Sequence, residues 1–424
     1  MDVKNSDSGS RPETMSTKQP EEDKARLLGG TGTSSAKVSS EASLPVNSPS
    51  AVPPPKIKAP EGYVASDRLE GHKEPLKYSG SLDQFKSFDV TPSVGKEFPD
   101  ANLVEWLKAP NADELIRDLA ITVSRRGVCF FRAQDDMTLE LQKELAQRLG
   151  LASGKPAQNG LHIWPFVYST AEDADKEIVL VNHKDTQADR ERVRNKVLAD
   201  VRYPAPKMWH SDGTWEHVPP DYAVLRMTEL PAVGGDTLWA SGYEVYDRLS
   251  RPWQSFLESL TFTAGNPAFH ANAAANNIPY YTDPRGAPEN IGKHVQAVHP
   301  VVRTNPVTGW NSIFSLGAHA QHINGVTPAE SEKLMAMLLD MVTGDHGIQC
   351  RYRWTNSNDM AIWDNRSMLH TPTADFSGLG YGDRMGFRAM SVGERPYFDP
   401  QGSARSTALF REEDEAEAAA APNS

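Results

Sequence analysis

Between residues 128 and 392 the chain packs in nine short runs rich in β-branched and aromatic residues. They are VCFFR (128–132), EIVLVN (177–182), DYAVLRMTE (221–229), DTLWAS (236–241), HPVVRT (299–304), SIFSL (312–316), QCRYRW (349–354), MAIWDN (360–365) and FRAMSV (387–392). Gly, Pro, Asn and Asp bound them, as they bound strands. Helical periodicity is sparser, at 111–126, 138–149, 242–260 and 327–343. The last of these opens Thr327-Pro328-Ala329-Glu330, which supplies a capping hydroxyl, a proline at the first helical position and a glutamate at the third. Strands do not alternate regularly with helices, which argues against a doubly wound parallel sheet. A mainly β fold with flanking helices, a β-sandwich or jelly roll, fits instead.

The ends have another character. Up to about Gly80 the chain is Ser, Pro, Lys, Glu and Gly, with its first aromatic at Tyr63. Such a segment buries too little apolar surface to offset its conformational entropy, so 1–80 is expected to be disordered. The acidic stretch 411–424 (REEDEAEAAAAPNS) carries the same expectation. One globular domain, 90–405, lies between them. A net charge of −12 and no basic stripe leave no electrostatic footprint for nucleic acid. No apolar run approaches the roughly 18 residues of a membrane span. The start, MDVKNSDSGS, lacks the apolar core of a secretory signal. Cys129 and Cys350 each sit inside an apolar run and read as buried, reduced thiols. A cytoplasmic protein acting on a small molecule is the expectation, and a homo-oligomer is compatible with it.

Two histidines and one carboxylate can hold iron while leaving three coordination positions open. Two of these ligands come from a short His-x-Asp or His-x-Glu, because residues i and i+2 of a strand face the same way. The chain holds three copies of that pattern. His72-Lys73-Glu74 falls in the polar extension. His183-Lys184-Asp185 opens a charged run and reads as a solvated loop. His210-Ser211-Asp212 sits in MWHSDGTW, whose large apolar neighbours suit a walled pocket. The third ligand must then be a distant histidine. His217, His270, His294, His319, His322 and His346 have polar or loop-like surroundings and read as surface or capping residues. His162 (GLHIWP) could line a pocket, His299 begins a strand run, and His370 follows MAIWDNRSML, a strand leading into a turn. Arg384 and Arg388 share one face if DRMGFRAM is extended. Burying them is costly unless they meet anions. They suit either a carboxylate ligand or a surface ion pair, with Asp383 adjacent.

MWHSDGTW, ELPAVGGDTLWASGYEVYDRLS, HPVVRTNPVTG, MAIWDNRSMLH and DRMGFRAM occur in the order found in the taurine dioxygenase group of Fe(II)- and 2-oxoglutarate-dependent oxygenases. The chain resembles that group over about 125–400. Its length and polar extension look most like the fungal-type sulfonate dioxygenases. The resemblance implies a double-stranded β-helix (jelly roll) core, with His210, Asp212 and His370 as iron ligands. It implies that Thr237 and Arg384 hold the distal carboxylate of 2-oxoglutarate, and that Arg388 pairs with a substrate sulfonate. O2 would be the second cosubstrate, and a sulfonate substrate would yield sulfite and an aldehyde, with succinate and CO2. Where taurine dioxygenases place a histidine and a tyrosine against the substrate, this chain holds Trp164 and Val167, or Tyr168 after a shift of one. Indole can donate one hydrogen bond but cannot be cationic. That departure points away from taurine, toward a bulkier or less polar anion or a non-sulfonate such as a natural-product intermediate. A metal-dependent isomerase or hydrolase and a catalytically inactive binding module remain as rival classes.

Overall fold

The computed structural model describes residues 73–167, 175–184, 186, 190 and 208–420. Two β-sheets face each other at its centre. The larger runs in the order β1 (Phe88–Asp89), β2 (Lys96–Phe98), β3 (Val128–Phe131), β13 (Met360–Asp364), β5 (Pro220–Glu229), β15 (Arg384–Val392), β4 (Ile178–His183). Only the β2–β3 pairing is parallel in this sheet. The smaller sheet facing it is β12 (Gln349–Tyr352), β6 (Thr237–Ser241), β14 (Met368–Pro372). A third sheet, β11 (Ala320–Asn324), β7 (Thr261–Gly265), β8 (Gln296–Pro300), and the pair β9 (Val302–Thr304) with β10 (Asn311–Ile313) complete the strands among the described residues. This is the β-rich architecture with flanking helices that the sequence led us to expect.

Side-chain alternation explains why the strand runs are continuously apolar. Val128, Phe130, Ala361 and Trp363 point between the two facing sheets, where they meet Trp239, Cys350, Tyr352 and Met368. Phe130 stacks on Tyr352 at 3.9 Å and meets Trp239 edge-on at 5.3 Å. The alternate residues Cys129, Phe131, Met360 and Ile362 face the other way, into a core shared with helices Leu103–Lys108, Ala112–Arg126 and Leu139–Ala152. A strand buried on both faces has no polar alternation to display. Both cysteines are free and buried, and burial pushes each thiol up to about 12.

Four expectations need correction. The acidic C-terminal segment is helical from Arg405 to Ala420. Alanine and glutamate are strong helix formers, and the helix is anchored by Arg405 to Glu244, Ser406 to Asp247 and Arg125 to Glu412. Order also begins before Gly80: the Leu76 amide donates to the Val307 carbonyl at 2.9 Å, and Ser79 and Ser81 converge on the buried carboxylate of Asp118. The rest of the extension, residues 1–72, lies outside the described residues. The 242–260 periodicity resolves into two helices, Gly242–Asp247 and Arg251–Glu258, the second started by Pro252. The run 299–304 splits into the ends of β8 and β9. The capping box at Thr327 and Glu330 forms as read, opening the helix Pro328–Gly344. No helix among the described residues is long and apolar enough to cross a membrane.

The turn from β13 to β14 is pinned by buried charge. Arg366 donates from Nε and Nη2 to the two Asp364 carboxylate oxygens, each at 2.8 Å. Ser124 and Asn305 donate to the same carboxylate at 2.6 and 2.8 Å. Burial alone would raise the Asp364 carboxyl, but Arg366 and these donors hold it low. Removing one partner of such a pair strands the other charge. Arg366→Met is therefore expected to lower the urea unfolding free energy by about 3–5 kcal/mol; a loss under 1 kcal/mol would mean that the turn is held by something else.

Candidate active site

His210 and His370 are 160 positions apart in sequence but form a single antiparallel bridge. The His210 amide donates to the His370 carbonyl at 3.1 Å, and the His370 amide donates back at 2.8 Å. Their rings lie 4.4 Å apart, centroid to centroid. His370 comes from β14, a strand that sequence patterning missed because MLHTP is short and ends in proline. The His-x-Asp segment is not a strand either. His210 makes its one bridge, and just past Asp212 the chain turns away through Gly213 at φ 62°. A side chain at Gly213 would also run into Pro220.

Asp212 is fixed by its backbone. Asn365 accepts from the Asp212 amide at 2.7 Å and donates to its carbonyl at 2.8 Å. The Asn365 side chain also donates to the Pro220 carbonyl at 3.1 Å. One ligand atom from each of His210, Asp212 and His370 falls within 4.8 Å of the others, the only such cluster of three or more His, Cys, Asp or Glu among the described residues. Asp212 Oδ1 is 3.6 Å from His210 Nε2 and 3.8 Å from His370 Nε2. Asp212 Oδ2 is buried with no partner.

Protonation suits a divalent cation, which needs neutral imidazoles and an ionised carboxylate. His210 Nδ1 lies 2.7 Å from the Met208 carbonyl. A carbonyl only accepts, so Nδ1 carries a proton, which leaves Nε2 as the ring's ligand-type atom, on the side of Asp212. Burial drives the His370 imidazole well below its ordinary value. Burial would raise the Asp212 carboxyl, but Arg388, then His370 and His210, hold it well below the usual carboxylate range. Two imidazoles and a carboxylate are the donor set of the facial triad that holds Fe(II).

Beside this cluster, Arg384 crosses from β15 to the smaller sheet. Its Nε donates to the Gly235 carbonyl at 2.8 Å and its Nη2 to Thr237 Oγ1 at 3.1 Å. Gly234 and Gly235 both adopt positive φ, 80° and 72°, which turns the carbonyl-bearing loop into β6. Arg384 is buried and makes no ion pair among the described residues. Burial pushes its guanidinium down to about 10, with Asp236 pulling the other way. A buried cation bonded only to a carbonyl and a hydroxyl is matched to an incoming carboxylate. Arg388, four residues on and on the same face, donates from Nη1 to Asp212 Oδ1 at 2.9 Å.

An aromatic wall adjoins the histidines. Trp164 meets Trp215 edge-on at 5.1 Å and Phe269 at 5.8 Å. Trp215 meets His319 at 4.6 Å, and His319 lies 5.0 Å from His210. His319, expected at the surface, is buried, with Nδ1 3.1 Å from the Ser211 carbonyl. Burial lowers its imidazole to about 3. Its flanks, Gly317-Ala318 and Ala320, resemble an ordinary loop, and nothing in composition distinguishes it. Asn365 was likewise invisible, since its work is done on another segment's backbone.

Other candidates fall away from the cluster. His299 is buried against the Thr214 carbonyl at 2.8 Å, and His162 lies 3.5 Å from Glu216. Of the tryptophans in MWHSDGTW and DTLWAS, Trp209 and Trp239 belong to the hydrophobic cores, whereas Trp215 joins the aromatic wall. His183 ends β4 and contacts Ser377 Oγ at 2.8 Å, so it is part of the sheet and not of a solvated loop. His72, Tyr168 and Asp185 lie outside the described residues.

Asn365 touches none of the three ligand-type atoms, yet it sets where Asp212 stands. Asn365→Ala is expected to weaken Mn(II) or Fe(II) binding by about 10- to 100-fold in a calorimetric titration, as loss of outer support does. An unchanged affinity would show that the turn alone positions the carboxylate.

The family model described as "Taurine catabolism dioxygenase TauD, TfdA family" matches residues 86–390. The "Alpha-ketoglutarate-dependent dioxygenase oryG" of Aspergillus oryzae is 48% identical over 338 residues, 80% of this chain and 96% of its own length. The "Alpha-ketoglutarate-dependent sulfonate dioxygenase" of Saccharomyces cerevisiae is 27% identical over 339 residues, 78% of this chain and 73% of its own. The crystal structure of a taurine dioxygenase from Burkholderia xenovorans superposes with a TM-score of 0.53 at 24% identity, covering 75% of this chain and 92% of its own, so the fold is shared. Within the family, then, the likeness to a sulfonate dioxygenase is the weaker one. With its model matched across most of the ordered chain, the protein belongs to the TauD/TfdA family and is an Fe(II)- and alpha-ketoglutarate- (2-oxoglutarate-) dependent dioxygenase.

Proposed function

We propose that His210, Asp212 and His370 hold the Fe(II), that Thr237 and Arg384 hold the distal carboxylate of 2-oxoglutarate, and that the substrate is a small organic molecule of the natural-product type. One observation carries the reading: a buried 2-His-1-carboxylate cluster stands beside a buried arginine that has no acidic partner among the described residues. Bound together, Fe(II), 2-oxoglutarate and O2 supply the oxidising equivalent that hydroxylates a substrate C–H, with succinate and CO2 as co-products.

The chain's own residues do the rest. Asp212 enters as an anion and His370 as a neutral donor, the states in which a carboxylate and an imidazole bind a cation. Arg384 offers a charge-assisted bond to a carboxylate. Trp164, Trp215, Phe269 and His319 pack into one aromatic cluster that reaches His210 through His319.

Two observations favour natural-product tailoring over desulfonation. The Arg388 guanidinium, the cation a sulfonate would need, is engaged by Asp212. The wall is aromatic and carries Trp164, which suits stacking on an unsaturated or ring-bearing substrate more than pairing with a small anion. The 48% identical relative is named without reference to sulfonates, which agrees with this choice.

Fe(II) and 2-oxoglutarate, added anaerobically, are expected to give a weak visible charge-transfer band that His210→Ala abolishes. Arg384→Ala should raise the KM for 2-oxoglutarate about tenfold or more, since a hydrogen bond to a charged group is worth about 1.5–3 kcal/mol. An unchanged KM would mean that the clamp lies elsewhere. For the substrate, alkyl sulfonates and ring-bearing small molecules are screened for succinate and sulfite together. Succinate without sulfite, from ring-bearing compounds, is the expected result; sulfite release coupled to succinate would restore the sulfonate reading.

A further inference from the structure

Thr237 Oγ1 is approached by two donors. Arg384 Nη2 lies 3.1 Å from it on one side, and Trp354 Nε1 lies 3.1 Å from it on another. Neither a guanidinium nor an indole N–H can accept a hydrogen bond. A hydroxyl oxygen has two lone pairs and one proton. With both lone pairs occupied, the proton must leave along the one remaining direction, and no described residue is placed to receive it.

Trp354 is well built for that role. It is buried, and it follows β12, whose Tyr352 is the register partner of Thr237 on β6. Its ring is held edge-on to Tyr352 at 5.1 Å and to Trp239 at 6.5 Å. The indole therefore sits on the protein side of the hydroxyl as a donor that cannot reverse.

We propose that Trp354 is a positioning residue for the 2-oxoglutarate clamp: with Arg384, its indole N–H locks the Thr237 rotor so that the hydroxyl donates its proton to the incoming carboxylate. The proposal rests on the clamp reading given above. Without the indole N–H the hydroxyl gains orientations that turn a lone pair toward the carboxylate, oxygen against oxygen. With it, indole, hydroxyl and carboxylate form a chain in which each bond polarises the next.

Calorimetric binding of 2-oxoglutarate to the Mn(II)-loaded protein, without turnover, tests this. Trp354→Phe keeps an aromatic ring and removes the N–H; 2-oxoglutarate should bind about fivefold to tenfold more weakly. Thr237→Val should weaken it at least as much. In the Thr237→Val background, Trp354→Phe should add less than about twofold, because its effect runs through the hydroxyl. Benzothienylalanine at position 354, which replaces the N–H by sulfur and keeps the bicyclic shape, should reproduce the phenylalanine result if the smaller ring disturbs folding. The proposal is overturned if removing the N–H leaves the affinity unchanged, or if it weakens the Thr237→Val protein as much as the wild type. Failure of the wild type to bind 2-oxoglutarate would instead remove the clamp reading, and the proposal with it.

Discussion

Two backbone hydrogen bonds between His210 and His370 hold the site in register, and much of the remaining architecture serves to place their two ends. One end is carried by β14, which the buried Asp364–Arg366 turn delivers from β13. The other lies on an irregular segment held by the bridge, by the Asn365 clamp on Asp212 and by Ser211 Oγ, which donates to the Met368 carbonyl. The imidazoles are thus brought together by peptide groups. A cation arriving at such a site meets donors whose ordering entropy was met when the chain folded.

The same centre gathers charge that a protein interior ordinarily refuses. Arg388 neutralises Asp212, whereas Arg384 is left with a carbonyl and a hydroxyl. These two arginines share a strand face but not a situation. Among the described residues, one is paired with a carboxylate through Nη1, though its Nε is buried without a partner, and the other meets no carboxylate.

Much of this was legible in the sequence, for identifiable reasons. Strands buried on both faces announce themselves as apolar runs, and the helix at 328–344 carries its start signal in four residues. Short strands of small or polar residues such as β7 and β11 (TFTAG, AQHIN) show no comparable pattern, because their stability comes from pairing. Arg384 and Arg388 could be grouped by strand periodicity alone. Asn365, His319 and Trp354 could not, since each acts through a contact with a remote segment that no local pattern encodes. The helical C-terminal segment was hidden by its acidity: charge was read as solvation, while its alanines and glutamates favour helix and its ion pairs lie on other elements.

His370 and the two clamp residues come from paired strands, whereas His210 and Asp212 share an irregular segment with Trp215, and this arrangement bears on how such an enzyme can diversify. His370, Thr237 and Arg384 stand on paired strands, and even a peripheral residue there is constrained: a side chain at Gly127, where φ is 79°, would strike Met368, two residues before His370. Trp164, Trp215 and His319 lie on connecting segments, and Phe269 on a nine-residue helix, none of which enters the facing sheets. Mutational drift can therefore remodel Trp164 and Phe269, which touch neither His210 nor Asp212, more freely than Trp215 and His319, which pack against the ligand segment. A lineage built this way can acquire new substrates by loop variation while its chemistry stays constant.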